Sequence, residues 1–505
     1  MLERPRTILL AIILIYLVLG ILYAVYTPDW QAPDEPAHYN YIRTLSEEHR
    51  FPILKPGDFP GTYLEQIKAA RFAPELSIAP IRYEFHQPPL YYLLAVPVYG
   101  LFGGALLPLR LLSLLIGALL LPVVYETVRL VAPTRPGLAL GTTAFVAFLP
   151  MHVAMSAAVN NDSLAELLLA VGLLFCVRYV GLGHSEVGNL SPQPQVHLRP
   201  ALTEDQRHLL FLLGVTTGLA FVCKSSAYIL LPLALTAIAA RHLWLDRPHS
   251  LQRPVLAAGL YLVPSTLMAL PWWLRNVALY GGLDVLGLGR HDEVVAGQLR
   301  TADWVAQIGL GQAMTDFGLI SFRSFWAQFG WMGVLIDQRL YQALAALSGL
   351  ALAGLVVWAV SMWRRRKRVP AWQWVAGGLV ALLALLTVAS YVWYNLSFWQ
   401  PQGRYLFRAL PPLGLAFALG WREALRRERA LLLSAVLVVG AALLRLLGLL
   451  PNWPLLMVVA LVVALLAHRF LPAAWDSLVN ALPYLLLVLL TVASLFFYLV
   501  PQLQP

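Results

Sequence analysis

TILLAIILIYLVLGILYAVY, residues 7–26, is an unbroken apolar run of the length a helix needs to cross ~30 Å of hydrocarbon. Arg4 and Arg6 precede it and no clear small-residue cleavage site stands before Trp30, so it reads as a retained first span rather than a removed signal peptide. Twelve more apolar segments follow, at roughly 106–128, 138–158, 164–180, 208–223, 226–240, 255–274, 344–363, 371–391, 405–420, 431–450, 452–467 and 480–500. The composition agrees: 59% of the residues are hydrophobic and 12% charged, against roughly 45–50% and 25% in an average soluble domain. A soluble globule is excluded. At about 150 residues per domain the 505 residues would make three, but spans fill most of the chain. The expectation is an all-α polytopic integral membrane protein, one transmembrane domain over 1–505 with about thirteen spans. The net charge of +10 comes without an aromatic-interleaved basic patch, so it reads as topology, not as nucleic-acid binding. Cys176 and Cys223 lie inside apolar runs and imply no disulfide framework.

One apolar stretch is left over, residues 88–102, about fifteen residues broken by Pro97. Counting it as a span would reverse every downstream orientation, and charge decides the question. Without it, the segments assigned to the inner face hold 20 Lys and Arg against nine acids, and all seven carry basic residues, including the Arg364–Arg368 run. That bias is the signature of cytoplasmic loops. Residues 88–102 therefore read as an interfacial or re-entrant helix, with the N-terminus cytoplasmic and the C-terminus extracytoplasmic. The longest inner loop contains a Ser/Pro/Gln stretch, Asn189–Gln195, expected to be a flexible connector. Two long segments fall outside: a first extracytoplasmic loop, 27–105, and a second extracytoplasmic segment, 275–343. Function is sought there.

The first loop opens with Pro33-Asp-Glu-Pro-Ala-His. Pro36 suits the first turn of a helix, which would lie along the membrane surface with Asp34 and Glu35 at its mouth. A carboxylate there can simply cap the helix, gaining roughly 0.3–1 kcal/mol from the exposed N–H groups. Adjacent carboxylates beside His38, just outside the first span, point further, to a general base for an acceptor hydroxyl. The loop closes with Tyr83-Glu-Phe-His-Gln-Pro-Pro, whose paired prolines fix His86 and Gln87 at the membrane edge. Asn161 and Asp162 stand at the outer end of the third span, 138–158, where Asp162 is either a helix cap or part of a polar cluster on the same side as Asp34. Lys224 is the only lysine in any span region and offers a compact cation for a lipid phosphate, unless it merely snorkels. Arg275 follows the aromatic run Pro271-Trp-Trp-Leu. Arg404, between Gln402 and Tyr405, carries the planar fork suited to phosphate, and Gly403 permits close approach.

Together these residues resemble the C-type multi-span glycosyltransferases that use polyprenyl-phosphate sugars, near the protein-mannosyltransferase (family 39) and aminoarabinose-transferase branch. The resemblance rests on Pro33-Asp-Glu-Pro-Ala-His, His86-Gln-Pro-Pro-Leu-Tyr-Tyr, Asn161-Asp162, Lys224, Pro271-Trp-Trp-Leu-Arg-Asn and Gln402-Gly-Arg-Tyr. It implies an inverting sugar transfer on the extracytoplasmic face of the plasma membrane. Asp34 is then the catalytic acid residue with Glu35 adjacent; Lys224, Arg404, Arg275 and Tyr405 serve the donor phosphate; and His38, His86, Asn161, Asp162 and Gln402 contact substrate. The partners implied are a polyprenyl-phosphate sugar, membrane lipids and a hydroxyl acceptor in a lipid, glycan or protein. The spacing does not demand a cofactor, although a divalent metal held by Asp34, Glu35 or Asp162 would suit the chemistry. Unlike the family's larger members, the chain shows no large soluble inserted or C-terminal domain. The rival reading is a transporter or flippase of a polyprenyl-linked or anionic lipid. Transport sites lie near the bilayer midplane between repeats, whereas here the unusual polar residues gather at span ends and no internal repeat is visible.

Overall fold

The computed structural model describes residues 3–183, 202–246, 251–448 and 451–504. The connector expected at Asn189–Gln195, and the charges Glu186, Arg199 and Arg247 counted toward the inner face, lie outside them. The regular secondary structure of the described residues is helical apart from a two-residue antiparallel pair, β1 (Gln328–Phe329) and β2 (Val334–Leu335), with Gln328 opposite Leu335, and an isolated bridge between Arg300 and Phe398.

The order is α1 (Glu3–Tyr26), α2 (Glu35–Glu47), α3 (Gly61–Ala69), α4 (Leu90–Leu101), α5 (Leu106–Val131), α6 (Pro136–Phe148), α7 (Pro150–Ser156) and α8 (Asp162–Gly181). Then come α9 (Glu204–Phe221), α10 (Leu230–Ala239), α11 (Gln252–Tyr280), α12 (Leu288–Val294), α13 (Thr301–Ile308) and α14 (Leu310–Trp326). The chain continues with α15 (Gln338–Arg364), α16 (Ala371–Ser397), α17 (Leu410–Ala424), α18 (Ala430–Leu446), α19 (Asn452–His468), α20 (Asp476–Ala493) and α21 (Val500–Leu503).

Among the described residues, every apolar segment expected to span forms helix over most of its length. Nine helical stretches among the described residues are long and apolar enough to cross a membrane, and ten if α6 and α7, bent by 64°, make one broken span. The other three segments fall short for local reasons. Glu204, Asp205 and Arg207 charge the first turn of α9, Pro411 and Pro412 hold α17 to 15 residues, and α19 has 17. Helix is the form apolar runs take in lipid because it satisfies every backbone group within the segment. The faces turned outward are apolar, as along α1, where Leu14 and Val18 are more than half exposed.

At α4 the helix is 12 residues, about 18 Å at 1.5 Å per residue, too short to span alone. It packs against α2, with Tyr41 stacked on Tyr92 at 3.7 Å. The bend between α6 and α7 follows from Pro150, which lacks an N–H and leaves Leu149 extended. Two carbonyls released there find other donors: His152 Nδ1 bonds Val146 O at 2.8 Å and Thr491 Oγ1 donates to Phe148 O at 2.9 Å. Helices also close through small residues. A Cβ on Gly354 of α15 would sit 2.0 Å from Gly420 O of α17, and one on Gly420 would sit 2.0 Å from Ala351 O.

Candidate active site

Glu35, the first residue of α2, is fully buried, and its two carboxylate oxygens accept from Arg110 Nε and Nη2 of α5 at 2.8 and 2.7 Å. The same guanidinium donates to the carbonyls of Ala24, Thr27 and Pro28 at 2.8 to 3.2 Å. Val159 N donates to Glu35 Oε1 at 3.1 Å. One buried ion pair thus ties the end of α1, the start of α2, α5 and the approach to α8. Asp34, one residue earlier, has φ 68°, in the left-handed region that Asp tolerates better than most side chains. That backbone turn sends neighbouring carboxylates in different directions. The expectation that Glu35 acts beside Asp34 is therefore corrected: Glu35 braces the loop and does not reach the cavity that Asp34 lines.

That cavity, of about 410 Å³, lies where the first loop meets the starts of α8 and α17. Asp34, His38, His86, Asp162, Lys224, Arg404 and Tyr405 all line it. Asp34 occupies the N-cap position of α2, but its side chain makes no capping bond. Instead Oδ2 accepts from Arg404 Nη2 at 2.5 Å and Oδ1 accepts from the Tyr83 hydroxyl at 2.8 Å. Burial pushes the Asp34 carboxyl up, but Arg404 and then His38 pull it back, leaving it below the ordinary carboxylate range. Its side chain stays 25% exposed, open to a ligand.

A second ion pair stands in the same cavity. Lys224 Nζ donates to Asp162 Oδ1 at 2.7 Å and to Asn161 Oδ1 at 2.9 Å. Asp162 thus lines the cavity as the ion-pair partner of Lys224, at the first residue of α8. Asn161 is buried behind it, its amide donating to Cys223 O at 3.2 Å, and so positions Lys224 from outside the lining. Gln402 acts on Arg404 in the same way, accepting from Nε at 2.6 Å. Gly403 earns its place by close approach: a Cβ there would meet Ser321 O of α14 at 2.2 Å. Its N–H donates to Ser324 Oγ at 2.7 Å. Arg275 is a correction. Its guanidinium bonds Pro52 O and lies over the Trp272 ring at 4.3 Å, so it joins α11 to the first loop outside the cavity lining.

The cavity also holds groups the sequence reading did not single out. Glu84 lines it with Oε2 buried and unbonded. Burial raises the Glu84 carboxyl above its ordinary value, against the pull of His38. Arg408 lines the cavity as well, its Nε donating to Tyr405 O at 3.1 Å. His291 of α12 faces His86 with ring centroids 4.5 Å apart. Burial holds both rings neutral, His86 pulled down to about 4 and His291 to about 3. His38 is likewise lowered by burial and bonds the Tyr92 hydroxyl at 2.8 Å. Two signals pointed to these groups: Glu84 sits within the quoted Tyr83–Pro89 run, and Arg408 follows Arg404 by four residues.

Chemically, the cavity sets three cations beside carboxylates, two of them already in ion pairs. It suits an anionic group at the cations together with a hydroxyl at a carboxylate. A metal does not fit. The carboxylates of Asp34, Glu35 and Asp162 are each bound to an Arg or Lys, and among the described residues no three His, Cys, Asp or Glu side chains converge to hold an ion.

The family model of dolichyl-phosphate-mannose-protein mannosyltransferases matches residues 55–283. No curated protein is significantly similar in sequence. Among solved structures, the Archaeoglobus fulgidus oligosaccharyltransferase, tethered with an acceptor peptide containing the NVT sequon, superposes with a TM-score of 0.52 at 15% identity over 97% of this chain. This chain spans 55% of that protein's length. Apo ArnT from Cupriavidus metallidurans gives 0.52 at 16% identity, covering 96% of this chain and 76% of ArnT. The agreement extends over nearly the whole chain, so this polytopic membrane protein has the C-type glycosyltransferase fold.

Proposed function

We propose that the chain transfers a sugar from a polyprenyl-phosphate donor to a hydroxyl acceptor on the extracytoplasmic face, with inversion at the anomeric carbon. The observation that carries this reading is the paired arrangement Asp34–Arg404 and Lys224–Asp162 in one cavity. The matching family model, named for mannosyl transfer from dolichyl phosphate to protein, supports the donor class. The inner-face excess of Lys and Arg supports the orientation.

In the proposed reaction an acceptor oxygen attacks the anomeric carbon and gives its proton to the Asp34 carboxylate. The bond from that carbon to the phosphate oxygen breaks, and the lipid phosphate leaves with the electron pair. Arg404 and Lys224 stabilise the charge that develops on it. The ion pairs give the step an order. While Arg404 holds Asp34, the carboxylate is a poor base. A donor phosphate sharing the guanidinium weakens that hold and raises the basicity of Asp34 as the substrate binds.

The test is to incubate the purified chain with a panel of polyprenyl-phosphate sugars and an acceptor mixture and to measure released polyprenyl phosphate. Asp34→Asn should lower turnover about 10²- to 10⁴-fold while the protein stays folded in detergent. Lys224→Met should raise the donor concentration needed for half-saturation. Full turnover by Asp34→Asn would remove the proposed base, and release from no donor of the panel would remove the reaction.

A further inference from the structure

At the other end of the bundle, a second cavity of about 950 Å³ opens between α1, α6, α17 and α20. Arg422, at its mouth, lies near the end of α17, whereas Arg408 of the first cavity precedes the start of that helix; the offset is roughly 20 Å at 1.5 Å per residue. The walls are apolar, with Ile8, Ile12 and Ile15 of α1 facing Leu140 and Ala144 of α6. Ile8 and Ile15 are also 48% and 41% exposed, so the slot is continuous with the apolar outer surface.

The charged mouth is out of balance. Glu423 and Glu428 both pair with Arg426 at 3.3 Å. Asp476 pairs with Arg427 at 2.7 Å and with His468 at 2.9 Å. Every acid lining the mouth is thereby occupied. Arg135, at the start of α6, and Arg422 remain, and among the described residues neither has a carboxylate within ion-pair distance. Of the neighbouring charges, the one acting most strongly on Arg422 is Arg135, and its sign is the same. Two like charges beside an apolar slot are held at a cost that an anion between them removes. A soluble anion would use only the mouth, whereas a group with its own apolar tail would use the slot as well.

We propose that this cavity binds an anionic glycerophospholipid, its phosphate between Arg135 and Arg422 and one acyl chain along the Ile8–Ile15 face of α1. Basic pockets between membrane helices take lipid headgroups in this way. The site is separate from the proposed sugar transfer and can be tested without it.

Full-length protein, delipidated in neutral detergent, is titrated with dioleoylphosphatidylglycerol, dioleoylphosphatidylcholine and inorganic phosphate, following lipid adducts by native mass spectrometry and thermal unfolding. Phosphatidylglycerol should bind and raise the unfolding temperature. Phosphatidylcholine and phosphate should do neither. Arg135→Gln and Arg422→Gln should each weaken binding about fivefold, while Arg469→Gln, an exposed arginine outside the lining, should not. Ala11→Phe, which narrows the slot without touching either arginine, should also weaken it and covers the case in which the arginine variants do not fold. Equal binding of phosphatidylcholine, an equal effect of phosphate alone, or unchanged binding in the Ala11→Phe variant would overturn the proposal.

Discussion

Glu84 shows how a polar cavity stores instability in one side chain. Its carboxyl is partly buried, one oxygen has no partner, and burial raises it above the ordinary glutamate value. A raised acid favours its protonated form in the fold, so its contribution is best at low pH. Stability is lost as pH climbs from the ordinary glutamate range through the raised folded value, and above that the penalty is constant. Glu84→Gln should therefore unfold at higher temperature than the parent at pH 7, by the equivalent of about 1 kcal/mol. The advantage should vanish near pH 4, and a thermal scan series from pH 4 to 8 checks it. An advantage independent of pH would mean that charge is not the cause. Asp34 has the opposite sign: its lowered carboxyl keeps the Arg404 pair intact at neutral pH, and the pair is lost only as pH falls through that depressed value. At this scale the sequence displayed residue types but not directions. Asp34, Lys224 and Arg404 were legible because charged groups at span ends are conspicuous in an apolar chain. Glu35 misled because adjacency in sequence says nothing about which side of a turn each carboxylate faces.

The helix that corrects the reading of Glu35 is α5. Arg110 sits in its second turn, inside a run otherwise apolar for most of its length, and such an arginine demands a buried acid. That signal was available in the sequence, but only the fold says which acid answers it. Arg110 is 2% exposed and Glu35 not exposed at all, so neither charge can be relieved by water. Glu35→Gln leaves the guanidinium buried against carbonyls alone and should cost about 3–5 kcal/mol. Arg110→Met should be comparably severe. In the double variant no orphan charge remains, so its loss should be clearly smaller than the sum of the two. Chemical denaturation of the four proteins in one detergent measures the coupling. Strict additivity would show that the pair does not act as a unit. The breaks in the bundle were partly legible for the same kind of reason. Pro150 marked a boundary, and His152 answers one freed carbonyl from two residues away, whereas Thr491, which answers the other, lies 343 residues from Phe148 in the chain. Pairings at that separation leave no local pattern.

On the scale of the whole molecule, apolar length alone identified a helical membrane bundle, because backbone in hydrocarbon has few other options. Orientation is a different kind of inference, resting on where Lys and Arg fall; the proposed orientation has the Asp34 cavity outside and the Arg364–Arg368 run inside. The chain supplies its own means of checking this. Both native cysteines, Cys176 and Cys223, are buried, so a membrane-impermeant thiol reagent should leave the parent protein nearly unlabelled. Glu65 of α3 has a side chain 73% exposed, and Lys367, between α15 and α16, is also exposed. In intact cells, Glu65→Cys should react with the reagent and Lys367→Cys should not. After permeabilisation both should react. The stretch between the two positions contains the residues 88–102 helix, so the same pair tests whether that helix turns back or crosses. A crossing would place an extra span between Glu65 and Lys367 and put both on one side. Labelling of both in intact cells would make residues 88–102 a crossing span, and labelling of Lys367→Cys alone would reverse the face on which sugar transfer is proposed, even with every distance around Asp34 unchanged.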